Sequence, residues 1–116
     1  WIVAPDGSVL LRRRIEAGLL GGMMEVPSTD WVPDGAWTDE DAVKHAPLAA
    51  DWQPVKGLVR HTFTHFHLEL TVLAAHVDGT DGLDGVWCAP GRFGDYALPT
   101  VMKKVVRIGI GFSPMP

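Results

Sequence analysis

Residues 58–77 read LVRHTFTHFHLELTVLAAHV, and they carry the clearest strand pattern in the chain. Between residues 66 and 72, apolar side chains at even positions alternate with polar side chains at odd positions. A period of two is typical of a β-strand with one buried face. Because the stretch is longer than an average strand, we expect a bend within residues 61–65.

Upstream of this strand, the sequence predicts a β-hairpin and a further short strand. Residues 1–4 and 8–14 are apolar or β-prone, and Pro-Asp-Gly at residues 5–7 separates them. An Asp-Gly pair favours a hairpin turn because both residues tolerate positive φ. A strand is also predicted at residues 23–26, and it ends at Pro27 because proline cannot donate to a strand ladder.

A short helix is predicted after these strands. Thr38 can cap its first turn, and the acidic residues at positions 39–41 suit the positive end of the helix dipole. Apolar positions continue to Ala46, and Pro47 limits the helix to about two or three turns.

The last predicted element is an amphipathic helix that begins at Leu-Pro-Thr, residues 98–100. Its apolar face is formed by Val101, Val105 and Ile108. Residues 86–89 resemble one more short strand. The element order β-β-β-α-β-β-α therefore predicts a mixed α/β domain.

Composition restricts the possible functions. A length of 116 residues suits one domain, and a net charge of −4 argues against a free-standing, sequence-independent DNA binder. Cys88 is the one cysteine, so an internal disulfide or a cysteine-rich cluster is excluded, and a reducing cytosol is expected. The longest nearly apolar stretch, residues 70–77, is too short to cross a membrane. Because the chain opens with Trp1, we expect it to be a piece of a longer protein.

Histidines 61, 65 and 67 are the first candidates for a metal site, since odd positions share a face on a continuous strand. A bend would separate His61, and zinc sites usually add Cys or carboxylate ligands, so surface or loop-anchoring roles are favoured. The chain has no Gly-x-Ser-x-Gly elbow for covalent catalysis, and Cys88 is expected to be a small buried thiol. We therefore predict no catalytic and no metal-binding residues.

Two clusters of basic residues could meet phosphates. One is Arg-Arg-Arg at residues 12–14, and the other consists of Lys103, Lys104 and Arg107. Local sequence favours a solvated strand end over a phosphate clamp for the first cluster. Which cluster would face DNA stays open.

Four segments point to one family. They are VLLRRR with GLLGGMMEVPS within residues 9–28, RHTFTHFHL at 60–68, VW at 86–87 and ALPTVMKK at 97–104. Together and in this order they resemble the C-terminal domain of MutY-type adenine DNA glycosylases. The most specific part is Phe63-Thr64-His65, which looks like the family's His-x-Phe-Ser/Thr-His signature.

The resemblance implies a Nudix-like fold, an α/β/α sandwich with a mixed β-sheet and two main helices. Active Nudix hydrolases need a Gly-x5-Glu-x7-Arg-Glu-x2-Glu-Glu box, whose glutamates hold divalent cations. No arginine occurs between Arg14 and Arg60, and the predicted helix offers only carboxylates 39–41. A domain without hydrolytic chemistry is therefore expected. The alternatives are a divergent Nudix hydrolase of oxidised nucleoside triphosphates and a purely structural or protein-docking domain.

The resemblance also implies which residues recognise a lesion. In the family, the hydroxyl residue of the signature contacts 8-oxoguanine, which here implies Thr64. Phe63 would wedge or pack beside the duplex, and His65 would anchor the loop or meet a phosphate. Arg60 and His61, just upstream, complete the predicted recognition residues.

Finally, the resemblance implies the rest of the protein. An N-terminal catalytic domain of the same chain would excise adenine and carry a 4Fe-4S cluster, whereas residues 1–116 would hold no cofactor. The expected partners are that domain and double-stranded DNA containing 8-oxoguanine paired with adenine, with no membrane involved. The protein would be a monomer in the bacterial cytoplasm, associated with the nucleoid when bound to DNA.

Overall fold

The structure is a computed structural model that describes residues 1–16, 18–33 and 37–113. Its strands are β1 (Ile2–Val3), β2 (Val9–Arg13), β3 (Met24–Glu25), β4 (Gln53–Thr62), β5 (His67–His76) and β6 (Val86–Cys88). Its helices are α1 (Asp39–Val43) and α2 (Thr100–Gly109), with a 3-10 turn at Phe93–Asp95 between β6 and α2. This order confirms the predicted mixed α/β arrangement, with one strand more than expected.

The strands form one mixed sheet. Its order is β3-β2-β1-β5-β4, and β6 pairs with β2 off this path. β1 runs parallel to β5, whereas the other described pairings are antiparallel. β4 is therefore an edge strand, and the turn that joins it to β5 lies at the border of the sheet.

The predicted N-terminal hairpin is confirmed. Val3 pairs with Val9 across β1 and β2. Gly7 has a φ of 88°, a conformation that glycine adopts without strain. The Asp6 carboxylate accepts a hydrogen bond from the backbone N–H of Ser8 at 2.9 Å, which stabilises the turn.

The predicted strand over residues 58–77 is wrong in one respect, because the chain reverses direction within it. β4 and β5 pair as antiparallel neighbours, and the expected bend is a complete turn at residues 63–66. The backbone N–H of Phe63 donates to the carbonyl of Phe66 at 2.8 Å and closes this turn. A β-prone stretch of this length predicts one long strand or two shorter paired strands equally well. The turn residues, Phe-Thr-His-Phe, also lack the Gly or Asn that marks most tight hairpins.

α1 is shorter than predicted. The hydroxyl of Thr38 accepts from the backbone N–H of Asp41 at 3.1 Å, so the predicted N-cap is confirmed. The helix ends at Val43 rather than near Ala46, and none of its residues is buried. Since helices in proteins depend mainly on packing of an apolar face, a helix without a buried residue has little to stabilise further turns.

α2 confirms the predicted amphipathic helix and closes the core. Its buried residues are Val101, Met102, Val105, Val106 and Gly109. Of these, Val101, Met102, Val105 and Val106 belong to the same hydrophobic cluster as Leu11, Val59 and Val72 of the sheet, and α2 lies against β4 and β5. In the described part of the chain, no helix is both long enough and apolar enough to span a membrane.

Candidate nucleic-acid interface

The turn between β4 and β5 brings the predicted signature residues to one place, and we call residues 63–66 the β4–β5 tip. Directly below it, the hydroxyl of Thr62 lies 2.9 Å from Nδ1 of His67 on the opposite strand. Together with the backbone bond from Phe63 to Phe66, this contact ties the two ends of the tip to each other.

Thr64 and His65 occupy the outer positions of the tip, and both are exposed. The hydrogen bonds near the tip involve Arg60, His61, Thr62 and His67. Within the described residues, neither Thr64 nor His65 has a side-chain partner. A threonine hydroxyl can donate one hydrogen bond and accept others. The Thr64 hydroxyl is therefore available to an external ligand.

Phe63 anchors the tip to the body of the protein. It is partly buried, and its ring centroid lies 4.7 Å from His61, 4.8 Å from Phe66 and 5.9 Å from Trp31. Aromatic pairs at such separations are favourable beyond their buried area. Phe66 is 43% exposed, so it presents apolar surface to solvent. Contact of Phe63 with a duplex stays a prediction.

Arg60 and His61 lie at the base of the tip. Nε of Arg60 is 3.2 Å from a carboxylate oxygen of Glu69, and both side chains are exposed. Lys104 of α2 donates to the carbonyl of Arg60 at 2.8 Å, and its Nζ lies 3.0 Å from Nδ1 of His61. Because an ammonium group can only donate, Nδ1 of His61 is the acceptor in this contact. Lys104 thus fastens α2 to the base of the tip.

Three neighbours of the tip were not placed there by the sequence analysis. Trp31 and Lys104 come from distant segments, and no sequence signal locates them beside residues 60–63. Phe66 lies within the quoted segment 60–68, so recognising the turn would have identified it.

The three histidines do not assemble into a metal site. His61 meets Lys104, His67 meets Thr62, and His65 is exposed at the tip. In residues 1–16, 18–33 and 37–113, no group of three or more His, Cys, Asp or Glu side chains could hold a metal ion.

The arginines at positions 12–14 contact other groups of the protein itself. Buried Glu25 accepts from Nε of Arg12 at 2.8 Å and from Nη1 of Arg14 at 2.7 Å. The guanidinium of Arg14 lies 4.4 Å from the centroid of the Trp31 ring. Arg13 is exposed and donates to a backbone carbonyl. Arg12 of β2 and Arg14, which directly follows β2, are therefore both tied to β3 by Glu25.

A cavity of about 330 Å³ lies between β5 and the segment that carries α1. Its walls include Leu70 and Val72 of β5 and the apolar residues Ala42 and Val43 of α1. The carboxylates of α1, at residues 39–41, are exposed to solvent and do not line it. α1 therefore does not present the spaced carboxylates that hydrolysis with divalent cations requires.

Cys88 is buried, which confirms its predicted role as a small core thiol. Burial, and secondarily the charge of Asp95, raises the pKa of this thiol. Because the thiolate is the reactive form, a raised pKa disfavours nucleophilic chemistry at Cys88.

Known proteins resemble this chain in sequence and, in one solved structure, in fold. The model of a family described as "NUDIX domain" matches residues 1–107. The human adenine DNA glycosylase is 31% identical over 121 residues, which cover 96% of this chain and 22% of that protein. The adenine DNA glycosylase of Rattus norvegicus is 31% identical over 110 residues, 86% of this chain and 21% of that protein. The chain thus spans about a fifth of the length of these curated relatives.

A solved structure extends the likeness to the whole chain. It is the complex between the C-terminal domain of mouse MUTYH and human PCNA, with a TM-score of 0.76 and 27% sequence identity. The match covers 99% of this chain and 86% of that one. The predicted Nudix-like fold and the resemblance to glycosylase C-terminal domains are therefore confirmed.

Proposed function

This chain belongs to the NUDIX domain family, and on that premise we propose that it is the lesion-recognition domain of an adenine DNA glycosylase. The parent protein would remove adenine mispaired with 8-oxoguanine. The observation that carries this proposal is the exposed hydroxyl of Thr64 on a tip whose neighbouring residue, Phe63, is anchored in the fold.

The chemistry of the lesion suits this hydroxyl. 8-Oxoguanine differs from guanine at two adjacent positions, since N7 becomes an N–H donor and C8 carries a new carbonyl acceptor. A threonine hydroxyl can accept from that N–H or donate to that carbonyl. Ordinary guanine offers an acceptor at N7, so a hydroxyl oriented as an acceptor discriminates between the two bases.

The anchoring of the tip supports the same role. When a side chain or loop becomes ordered only on binding, the loss of its conformational entropy offsets part of the interaction free energy. Here the aromatic contacts of Phe63 and the Thr62–His67 contact already order the backbone on both sides of Thr64 and His65. The tip can therefore meet a base with little further ordering.

We propose that the domain itself is not catalytic. The exposed carboxylates of a five-residue α1 and the apolar residues that α1 contributes to the cavity support this. The alternative, a divergent hydrolase of oxidised nucleoside triphosphates, predicts pyrophosphate release from 8-oxo-dGTP with Mg²⁺ or Mn²⁺. We expect no such release from the purified protein above the rate of the ions alone.

The remaining parts of the glycosylase are proposed to lie elsewhere in a longer chain. An N-terminal catalytic domain would excise the adenine, consistent with the much greater length of the curated relatives. A 4Fe-4S cluster is normally held by four cysteine thiolates, whereas this chain has one buried cysteine. Such a cluster would therefore belong to that other domain.

Thr64→Val tests the proposal in the full-length protein. The variant keeps the shape and the β-branch of threonine but removes the hydroxyl. We expect the preference for adenine opposite 8-oxoguanine over adenine opposite guanine to fall by about 1–2 kcal/mol, or roughly 5- to 30-fold. The measurement is kcat/KM for adenine removal from the two duplexes.

Thr64→Ser is the matched control, because it keeps the hydroxyl and loses only a methyl group. It should retain most of the preference. An unchanged preference in Thr64→Val would favour the structural or docking alternative. An equal loss on both duplexes would instead assign Thr64 to general DNA binding.

A further inference from the structure

The solvent-facing side of α2 carries uncompensated positive charge. Thr100, Lys103 and Arg107 are exposed at helical spacing, and Lys104 lies at the boundary with β4. Within the part of the chain that the structure describes, Lys103 and Arg107 form no ion pair, unlike Arg60 and Arg92. We call Lys103 and Arg107 the α2 cationic edge.

α2 runs alongside β4, and two contacts show its direction relative to the tip. Ile108 lies beside Gly57, since a Cβ built on Gly57 would sit 3.2 Å from the Ile108 side chain. Lys104 lies beside Arg60, whose carbonyl accepts from its Nζ. From Gly57 to Arg60, which is toward the tip, the neighbouring α2 residue therefore changes from Ile108 to Lys104. The N-terminal half of α2, with Lys103, is the half nearer the tip.

The other basic cluster is compensated. The single negative charge of Glu25 compensates one of the two positive charges of Arg12 and Arg14, with which it forms two short ion pairs. Asp30 lines a groove together with these arginines. Arg14 is further engaged with the ring of Trp31. This cluster therefore offers a duplex mainly the charge of Arg13.

We propose that the α2 cationic edge contacts backbone phosphates of the duplex beside the base that the tip reads. The inference rests on the proposed function, because the partner is taken to be DNA. Lys103 and Arg107 are one helical turn apart, about 6 Å along the axis, and phosphates of one strand advance about 3.4 Å per base pair. The two cations can therefore meet phosphates of one strand. Lys104, which is engaged with the base of the tip, acts by positioning it.

Charge considerations favour such a local contact. The whole chain has a net charge of −4, so its overall field repels DNA and affinity requires cations concentrated on one surface. Each phosphate contact releases condensed counterions and adds to the salt dependence of binding. The α2 cationic edge should therefore strengthen binding to any duplex, with or without the lesion.

The test compares two double variants of the full-length protein, Lys103→Gln/Arg107→Gln and the control Arg13→Gln/Arg92→Gln. Each removes two exposed positive charges, so the change in net charge is the same. Binding is measured by fluorescence anisotropy with duplexes that contain adenine opposite 8-oxoguanine or opposite guanine, at several salt concentrations. Circular dichroism verifies that both variants are folded.

For Lys103→Gln/Arg107→Gln, we expect the slope of log K against log salt to become shallower by about two. Affinity at about 0.1 M salt should fall roughly 10- to 60-fold, equally for both duplexes. The control should keep nearly the wild-type slope. Equal slopes for the two variants would overturn the proposal, and so would a loss confined to the lesion duplex. Lys103→Gln/Arg107→Gln could weaken binding to both duplexes while Thr64→Val leaves the preference for the lesion unchanged. That result would support the phosphate contact of the α2 cationic edge and contradict recognition of the lesion by the tip.

Discussion

Glu25→Ala is expected to lower the free energy of unfolding by about 3 kcal/mol. The Glu25 side chain is 6% exposed and pairs with two guanidinium groups. Removing one partner of a buried ion pair typically costs about 3–5 kcal/mol, because a charge is left without compensation. The low end applies here, since the Arg12 side chain is 40% exposed and can be partly hydrated. Chemical denaturation at neutral pH measures the change.

Glu69→Ala is the matched control for this prediction. Glu69 also pairs with an arginine, Arg60, but its side chain is 53% exposed. Exposed pairs contribute about 0–1 kcal/mol, so little change is expected. Equal losses in the two variants would mean that burial does not distinguish the two ion pairs.

In the proposed longer chain the nitrogen of Trp1 would be a peptide N–H, so the second large effect concerns only the separate polypeptide of residues 1–116, in which Trp1 carries a free amino group. This amino group donates to the carbonyl of Leu73 at 2.9 Å, and burial lowers its pKa from 8.0 to about 5. In a chain whose first residue is Trp1, the unfolded state takes up a proton near pH 8, whereas the folded state stays neutral until about pH 5. The free energy of unfolding is therefore highest above pH 8.0, the pKa of the amine in the unfolded state. It falls as the pH decreases toward about 5, the pKa in the folded state.

The expected loss is about 3–4 kcal/mol between about pH 8.5 and about pH 5, at roughly 1.4 kcal/mol per unit of pKa difference. A chain extended by one alanine before Trp1 is the control. Its peptide N–H can donate to Leu73 in the same way, but it does not titrate. The difference between the unfolding free energies of the two chains should grow as the pH falls. A difference that stays constant with pH would show that the amine is hydrated in the folded state.

Local signals predicted much of the fold. The Asp6-Gly7 turn, the Thr38 cap and the apolar spacing of α2 each depend on residues close in sequence, and the structure has all three. The reversal at residues 63–66 was missed, because residues 58–77 read as one β-prone stretch and the turn lacks Gly or Asn. The early end of α1 depends on the absence of buried contacts, which no local pattern reports.

For the candidate site, the signature located the residues but not their surroundings. Thr64 could be named from the Phe-Thr-His motif, whereas its exposure depends on the turn at which it lies. The contacts of Lys104 with Arg60 and His61 join residues more than forty positions apart. The pairing of Arg12 and Arg14 with Glu25 depends on the register of β2 against β3. Long-range contacts of this kind explain why the sequence left open which basic cluster would face DNA.

The most direct test of the account removes the hydrogen-bond donor from the base instead of the acceptor from the protein. 8-Bromoguanine carries a bulky substituent at C8 but has no proton on N7. Binding of the wild-type full-length protein and of Thr64→Val is measured with adenine opposite 8-oxoguanine and opposite 8-bromoguanine. If Thr64 reads the N7 proton, the substitution weakens binding to the 8-oxoguanine duplex and leaves the 8-bromoguanine duplex unaffected. The same loss on both duplexes would contradict the account.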